Sequence, residues 1–155
     1  MKHETLEQLF LYAVRVLGAR ACSESVLRQK LARHARPEVV AEVLQRVKSL
    51  GYLDDQKYAE GYARLYAGRW GPAKLRRALL EKGVARSIVD QVLAEQESQN
   101  DPVEEAMALL DRYQSRHRGE KPRVMRFLLN RGYAMDDAYR AWEGYHKQKA
   151  AEAES

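Results

Sequence analysis

Apolar residues recur along this chain at intervals of three and four, the spacing that gathers side chains on one face of an α-helix, with none of the alternation of a half-buried strand. Leu6, Leu9, Phe10, Ala13 and Leu17 define a first helix, Leu27 and Leu31 a second, and Val39, Val40, Val43, Leu44 and Val47 a third. The triplet then returns. Tyr58, Tyr62 and Leu65 share one face, Leu75, Ala78 and Leu79 the next, and Ile88, Val89, Val92 and Leu93 another. Val103, Ala106, Met107 and Leu110, then Val124 and Leu128, then Ala138, Ala141, Trp142 and Tyr145 complete the series. Met107, Met125 and Met135 read as core filler.

The return is a sequence repeat with a period of 49 residues. Lys30-Leu31-Ala32-Arg33-His34, followed by Val43-Leu44, is answered by Leu79-Leu80-Glu81-Lys82-Gly83 with Val92-Leu93, and again by Leu128-Leu129-Asn130-Arg131-Gly132 with Ala141-Trp142. The third copy has diverged most, with Asp137 where the others have the apolar Val39 and Ile88, and His34 stands where the other copies have Gly83 and Gly132. A three-helix unit of this size buries little surface alone, so neighbouring units must share it. The pattern therefore predicts an all-α fold, a tandem array of three three-helix repeats (about nine helices), elongated and curved. Repeat 1 spans 1–50, repeat 2 spans 51–99 and repeat 3 spans 100–148, with a frayed tail over 149–155.

The punctuation agrees. Pro37, Pro72, Pro102 and Pro122 all fall where a helix should begin, a position that needs no N–H from the proline. Ser23, Asp54 and Asp101 are placed to cap helix N-termini. Gly18, Gly51, Gly68, Gly83, Gly119 and Gly132 fall at expected helix ends, whereas Gly61 and Gly144 lie inside helical patterns, where each either weakens the helix or marks close packing.

Charge is sorted along the chain. The 27 Lys and Arg against 22 Asp and Glu give a net charge of +5, too small by itself to demand a polyanionic partner. Its distribution says more. Between Glu60 and Glu81 there are five bases (Arg64, Arg69, Lys74, Arg76, Arg77) and no acid, interleaved with Tyr62, Tyr66 and Trp70. Arg112, Arg116, Arg118, Lys121, Arg123 and Arg126 accompany a single acid, Glu120, and six bases from Arg15 to Arg36 accompany only Glu24. The stretch from Glu81 to Asp111 reverses the balance, with eight acids and two bases. Lys74 and Arg77 lie off the Leu75/Leu79 stripe, and Lys57 and Arg64 share the exposed side of the preceding helix. A basic face of this kind can be a solvated helix surface, a grip on phosphates or a dock for an acidic protein, and charge alone does not separate them. Tyr66 and Trp70 can pack between helices or stack on a partner.

Enzyme chemistry finds no convergent set of groups. Asp54-Asp55 and Asp136-Asp137 sit at helix starts, where acids cap and complement the dipole. His3, His34, His117 and His146 show no metal-ligand spacing, and Gly68-Arg69-Trp70-Gly71-Pro72 lacks the Lys-Ser/Thr of a nucleotide loop. Cys22 is the sole cysteine, so no intrachain disulfide is possible, and it reads as a small packed side chain. No run of 18 apolar residues and no signal-peptide core in Met1–Thr5 predict a cytoplasmic protein with no membrane partner.

The ordered series Gly51-Tyr52-Leu53-Asp54-Asp55, Tyr58-Ala59, Trp70-Gly71-Pro72, Lys74-Leu75, Leu79 and Lys82-Gly83-Val84 resembles the central motif of the RecX family. Ser25-Val26-Leu27-Arg28-Gln29-Lys30-Leu31 with Val43-Leu44 is similar to that family's first repeat, so the likeness covers residues 6 to 147. The resemblance implies a non-enzymatic regulator, without cofactor, of the bacterial recombinase RecA. Such a regulator binds the RecA–single-stranded DNA filament within its groove and restrains its growth, ATP hydrolysis, strand exchange and co-protease activity. It also implies weak binding to single-stranded DNA and leaves double-stranded DNA open as a further partner. The single thiol and solvated faces lead us to expect a monomer. The expected contacts are Lys57, Arg64, Arg69, Lys74, Arg76 and Arg77, followed by Arg112, Arg116, Arg118, Lys121 and Arg123. The alternative is a direct DNA-binding helical module acting through phosphate contacts.

Overall fold

A computed structural model describes residues 5–154. Among these residues there are ten helices and no strand. They are α1 (Leu6–Ala19), α2 (Glu24–Leu31), α3 (Pro37–Ser49), α4 (Asp55–Tyr66), α5 (Pro72–Glu81), α6 (Arg86–Gln99), α7 (Pro102–Arg112), α8 (Gln114–His117), α9 (Lys121–Asn130) and α10 (Met135–Glu154). His3 and the Met1–Glu4 segment read above lie outside the described residues.

Local chemistry sets the helix boundaries. Ser23 Oγ accepts the Val26 N–H, Asp101 accepts from Val103 and Asp54 accepts from Lys57, so three of the first-turn donors that a helix leaves unpaired find side-chain oxygens. Thr5 and Gln8 form a reciprocal capping box on α1, a device the periodicity did not reveal. Pro37 and Pro102 open their helices, and Pro122 sits one residue inside α9. The tail expected to fray from 149 is instead helical through Glu154. Lys149 explains it, since its ammonium lies 2.9 Å from Asp111 of α7 and 3.3 Å from Glu152 one turn on.

The chain divides into two compact units, the first holding everything up to Tyr62 together with Leu79–Val89, the second Ala63–Ala78 and everything from Asp90. The core of the first is built on Leu9, Ala13, Leu27, Leu31, Val43 and Val47, where α1 and α2 pack on α3. The core of the second is built on Ala106, Leu110, Val124, Leu128, Ala138 and Ala141, where α10 lies against α7 and α9. Gly144 lets α10 approach closely, because a β-carbon there would stand 2.8 Å from Met107 Sδ.

Three expectations about the buried face change. Leu65 is 60% exposed, and α4 instead buries Ala59 and Ala63, with Tyr58, Tyr62 and Tyr66 half-buried. Met135, read as core, is 62% exposed at the first position of α10. His34 does not replace a glycine. Leu31 and Ala35 are four apart whereas Leu79 and Val84, like Leu128 and Tyr133, are five apart, so this turn lacks the left-handed residue supplied by Gly83 and Gly132. The His34 ring packs against Tyr12, with centroids 4.7 Å apart.

The extra helix, α8, is organised by His117, which is fully buried. The Gly119 N–H donates to Nδ1 at 2.9 Å, so Nε2 must carry the proton, which it gives to the Leu110 carbonyl at 2.7 Å. The edge of Tyr145 closes the site, its ring at 87° to the imidazole.

Candidate functional site

The expected contact residues concentrate around two turns of the second unit that pack backbone to backbone. The Gly71 N–H donates to the Arg131 carbonyl at 2.6 Å, and the Ala73 N–H donates to the Gly132 carbonyl at 3.1 Å. A β-carbon on Gly71 would stand 2.5 Å from the Gly132 carbonyl, and one on Gly132 would overlap Lys74 Cβ. Gly71 and Gly132 are therefore required by proximity, and Gly132 by its φ of +93° as well. The first unit contains a related joint made through a side chain, where Ser23 Oγ donates to the Lys82 carbonyl at 2.5 Å and Gly83 faces Ser25.

The α4–α5 turn is held a second way. The Gly68 N–H donates to the Glu105 carboxylate, whose partial burial pushes its pKa up despite that bond. So fixed, the turn presents a layered group of rings and cations. Tyr66 and Trp70 stack with centroids 4.0 Å apart and planes within 7°, and Lys74 Nζ lies 4.6 Å from the Trp70 ring centre. Lys74, off the Leu75/Leu79 stripe as expected, is thus half-buried on an indole, while Arg69 and Arg77 are exposed.

Arg131, absent from the residues singled out by sequence, connects this group to the bases of α7 and α8. Its Nη1 donates to the Arg69 carbonyl at 3.2 Å, and its guanidinium lies 4.8 Å from the Tyr113 ring centre and 4.9 Å from that of Phe127. Arg131 and, more weakly, Arg112 favour the Tyr113 phenolate and hold its pKa below the usual range for a tyrosine. Arg116 lies over the same ring at 5.9 Å. Lys74, Trp70, Arg69, Arg131, Tyr113, Arg116 and Arg112 are therefore joined contact by contact in one basic and aromatic band. The available sequence signal was position, since Arg131 precedes a repeat-end glycine as Lys82 does.

The remaining expected residues lie elsewhere or are engaged. Arg76 is ion-paired with Asp90 of α6, and Arg123 with Glu120 at 3.1 Å. Lys121 sits over Tyr139 of α10 at 4.8 Å. Arg118 closes α8 with a φ of +53° and is exposed. Arg64 is exposed on α4, and Lys57, also exposed, belongs to the first unit. Among the described residues no three His, Cys, Asp or Glu side chains are grouped to hold a metal ion, and no helix is long and apolar enough to cross a membrane. Cys22 packs partly buried against the first core, which pushes its thiol pKa up, with Lys30 opposing.

Fold and surface together define a class, an all-helical protein whose inter-helix turns are locked by their backbones and carry cations and rings outward. Comparison with known proteins narrows it. The model described as RecX, second three-helix domain, matches residues 54–93. Regulatory protein RecX from a strain of Thermus thermophilus is 43% identical over 131 residues, covering 84% of this chain and 87% of that protein. The Escherichia coli O9:H4 protein of the same name is 33% identical over 156 residues, covering 86% and 89%. A crystal structure of RecX from Lactobacillus salivarius aligns with a TM-score of 0.78 over 90% of this chain and 96% of that one, and at 19% identity it bears on the fold alone. The chain belongs to the RecX family of regulatory proteins.

Proposed function

We propose that this protein regulates the RecA recombinase by binding the RecA–single-stranded DNA filament and inhibiting its growth, ATPase, strand exchange and co-protease activities. It would thereby modulate recombinational repair and the SOS response. Family membership supports regulation of RecA. The observation that carries the choice of surface is the contact chain from Lys74 and Trp70 through Arg131 to Tyr113. A nucleoprotein filament offers phosphates and acidic side chains, and a band of cations backed by rings can meet both. The action is occupancy of the filament, with no bond made or broken. Arg64, Arg69, Lys74 and Arg77 are the proposed leading contacts, and Lys57, Arg112, Arg116, Arg118, Lys121 and Arg123 the secondary ones. Arg76 contributes less because Asp90 already holds its guanidinium.

Direct DNA binding is the second reading, favoured by the Tyr66–Trp70 stack beside Lys74, an arrangement suited to an unpaired base. Salt separates the two, since phosphate-dominated binding to naked DNA falls steeply as salt rises. The test is a DNA-stimulated RecA ATPase assay titrated with wild type and with a variant carrying Arg69→Glu, Lys74→Glu and Arg77→Glu. Wild type is expected to inhibit and the variant, with unchanged helicity, to fail. Equal inhibition by both would remove this band from the contact surface.

A further inference from the structure

Helices α2 and α3 of the first unit enclose an apolar groove of about 710 Å³, floored by Ala32, Ala35, Val40, Ala41 and Leu44. Its existence follows from a comparison of helix pairs. Leu27 and Leu31 of α2 correspond to Leu75 and Leu79 of α5 and to Val124 and Leu128 of α9, all buried, while Val40 of α3 corresponds to Val89 of α6 and Ala138 of α10. By that correspondence Arg28 and Ala41 match Arg76 and Asp90, which form an ion pair spanning α5 and α6. Glu24 and Ala41 likewise match Lys121 and Tyr139, where the cation lies over the ring and spans α9 and α10. Only α2 and α3 have an alanine at this position. Arg28, matched with Ala41 in place of an acid, turns along its own helix to Glu24 at 2.7 Å, and the groove stays open.

Its rim is basic. Arg28, Arg36 and Lys48 stand around it with one acid, Glu24, which is already bridged by Arg28 and Lys48 at 2.7 and 2.5 Å. The lining extends along α3 from Pro37 to Lys48, about 17 Å at the rise of an α-helix, or three turns. An alanine floor permits a helical ridge to approach closely, and an apolar trough of that length takes the ridge of an amphipathic helix.

We propose that this groove docks an amphipathic helix of a partner protein, with apolar side chains at i, i+3, i+4 and i+7 on the alanine floor and acidic side chains against Arg28, Arg36 and Lys48. The site belongs to the first unit and does not depend on the basic and aromatic band of the second. Partner engagement here would be separable from whatever that band binds.

The probe is a fluorescein-labelled synthetic peptide of about 18 residues, enough for a few helical turns, with leucines at that spacing and glutamates flanking them. Its binding to the full chain is followed by fluorescence anisotropy, beside a lysine-for-glutamate version and a scrambled sequence. Ala41→Asp restores the Arg–Asp bridge seen in α5 and α6 and closes the groove, and Arg36→Glu reverses the rim while leaving the floor intact. Saturable binding of the acidic peptide is expected, weakened about tenfold or more by each substitution with helicity and melting unchanged, and comparably weaker for the lysine peptide. Absence of saturable binding, equal affinity of both folded variants, or equal affinity of the lysine peptide would overturn the proposal. So would self-association, measured by sedimentation, that Ala41→Asp abolishes, since the occupant would then be a second copy of the chain.

Discussion

Replacing Gly132 by alanine tests the backbone joint that organises the second unit. Two penalties add. At a φ of +93° an L-residue costs about 1–2 kcal/mol, of which roughly 0.5–1 is offset by the reduced freedom of the unfolded chain. The new methyl would also overlap Lys74 Cβ and stand 2.5 Å from Lys74 N, so one turn must move, at about 1–3 kcal/mol for overpacking. Movement weakens the bonds from the Gly71 and Ala73 N–H groups, each worth about 1 kcal/mol. The sum is a loss of about 3–5 kcal/mol. Gly51→Ala is the matched control, because its φ of +82° is comparable but nothing lies within 4 Å of the added carbon, so only about 1 kcal/mol is expected. Urea titrations read by far-ultraviolet circular dichroism and by tryptophan fluorescence give both values, and Trp70 reports from beside the joint. If Gly132→Ala falls within about 1 kcal/mol of Gly51→Ala, the two turns are not in close contact and the geometry described for the band is wrong.

Other outcomes follow from single groups. Leu79, fully buried, should lose roughly 2–4 kcal/mol on truncation to alanine, and a negligible change in urea midpoint would place it on the wrong face. The Tyr133 hydroxyl is buried without a hydrogen-bond partner among the described residues, so Tyr133→Phe should be neutral or stabilise by up to about 1 kcal/mol; a clear loss would reveal a bond to that oxygen. Glu24 is held below the usual glutamate pKa: desolvation opposes this, but hydrogen bonds and charge from Lys48 and Arg28 outweigh it. A depressed native pKa means that the stabilisation is complete above the unfolded-state pKa and disappears as pH falls through the native one. Glu24→Gln should therefore be less stable than wild type near neutral pH and approach it under acid. A stability difference that stays constant across that range would show that the ion pairs contribute nothing.

The helices were legible because period and punctuation coincide: the buried residues of α2, α3, α5 and α9 fall on the expected stripes, with Val39 and Ala78 half-buried, and proline and cap residues stand at the starts. What escaped has identifiable causes. α8 is four residues long, too short for any period, and depends on a histidine clasped between a carbonyl and an N–H that no spacing records. Leu65 misled because large apolar residues dominate a pattern, whereas packing on α4 selected Ala59 and Ala63. In the candidate site, composition located the bases but not their engagements. Asp90 is 14 residues beyond Arg76, and Arg131 reaches a carbonyl 62 residues away.

The turn-on-turn joint has a consequence for how such a surface can diversify. Gly71 and Ala73 grip Arg131 and Gly132 through peptide groups alone, which every sequence possesses. The exposed side chains of Arg69 and Arg77 are thereby released from structural duty and could be exchanged, reversed or lengthened with the frame beneath them unchanged. Partner preference can then drift by surface substitution while the architecture stays put, provided two small residues are kept.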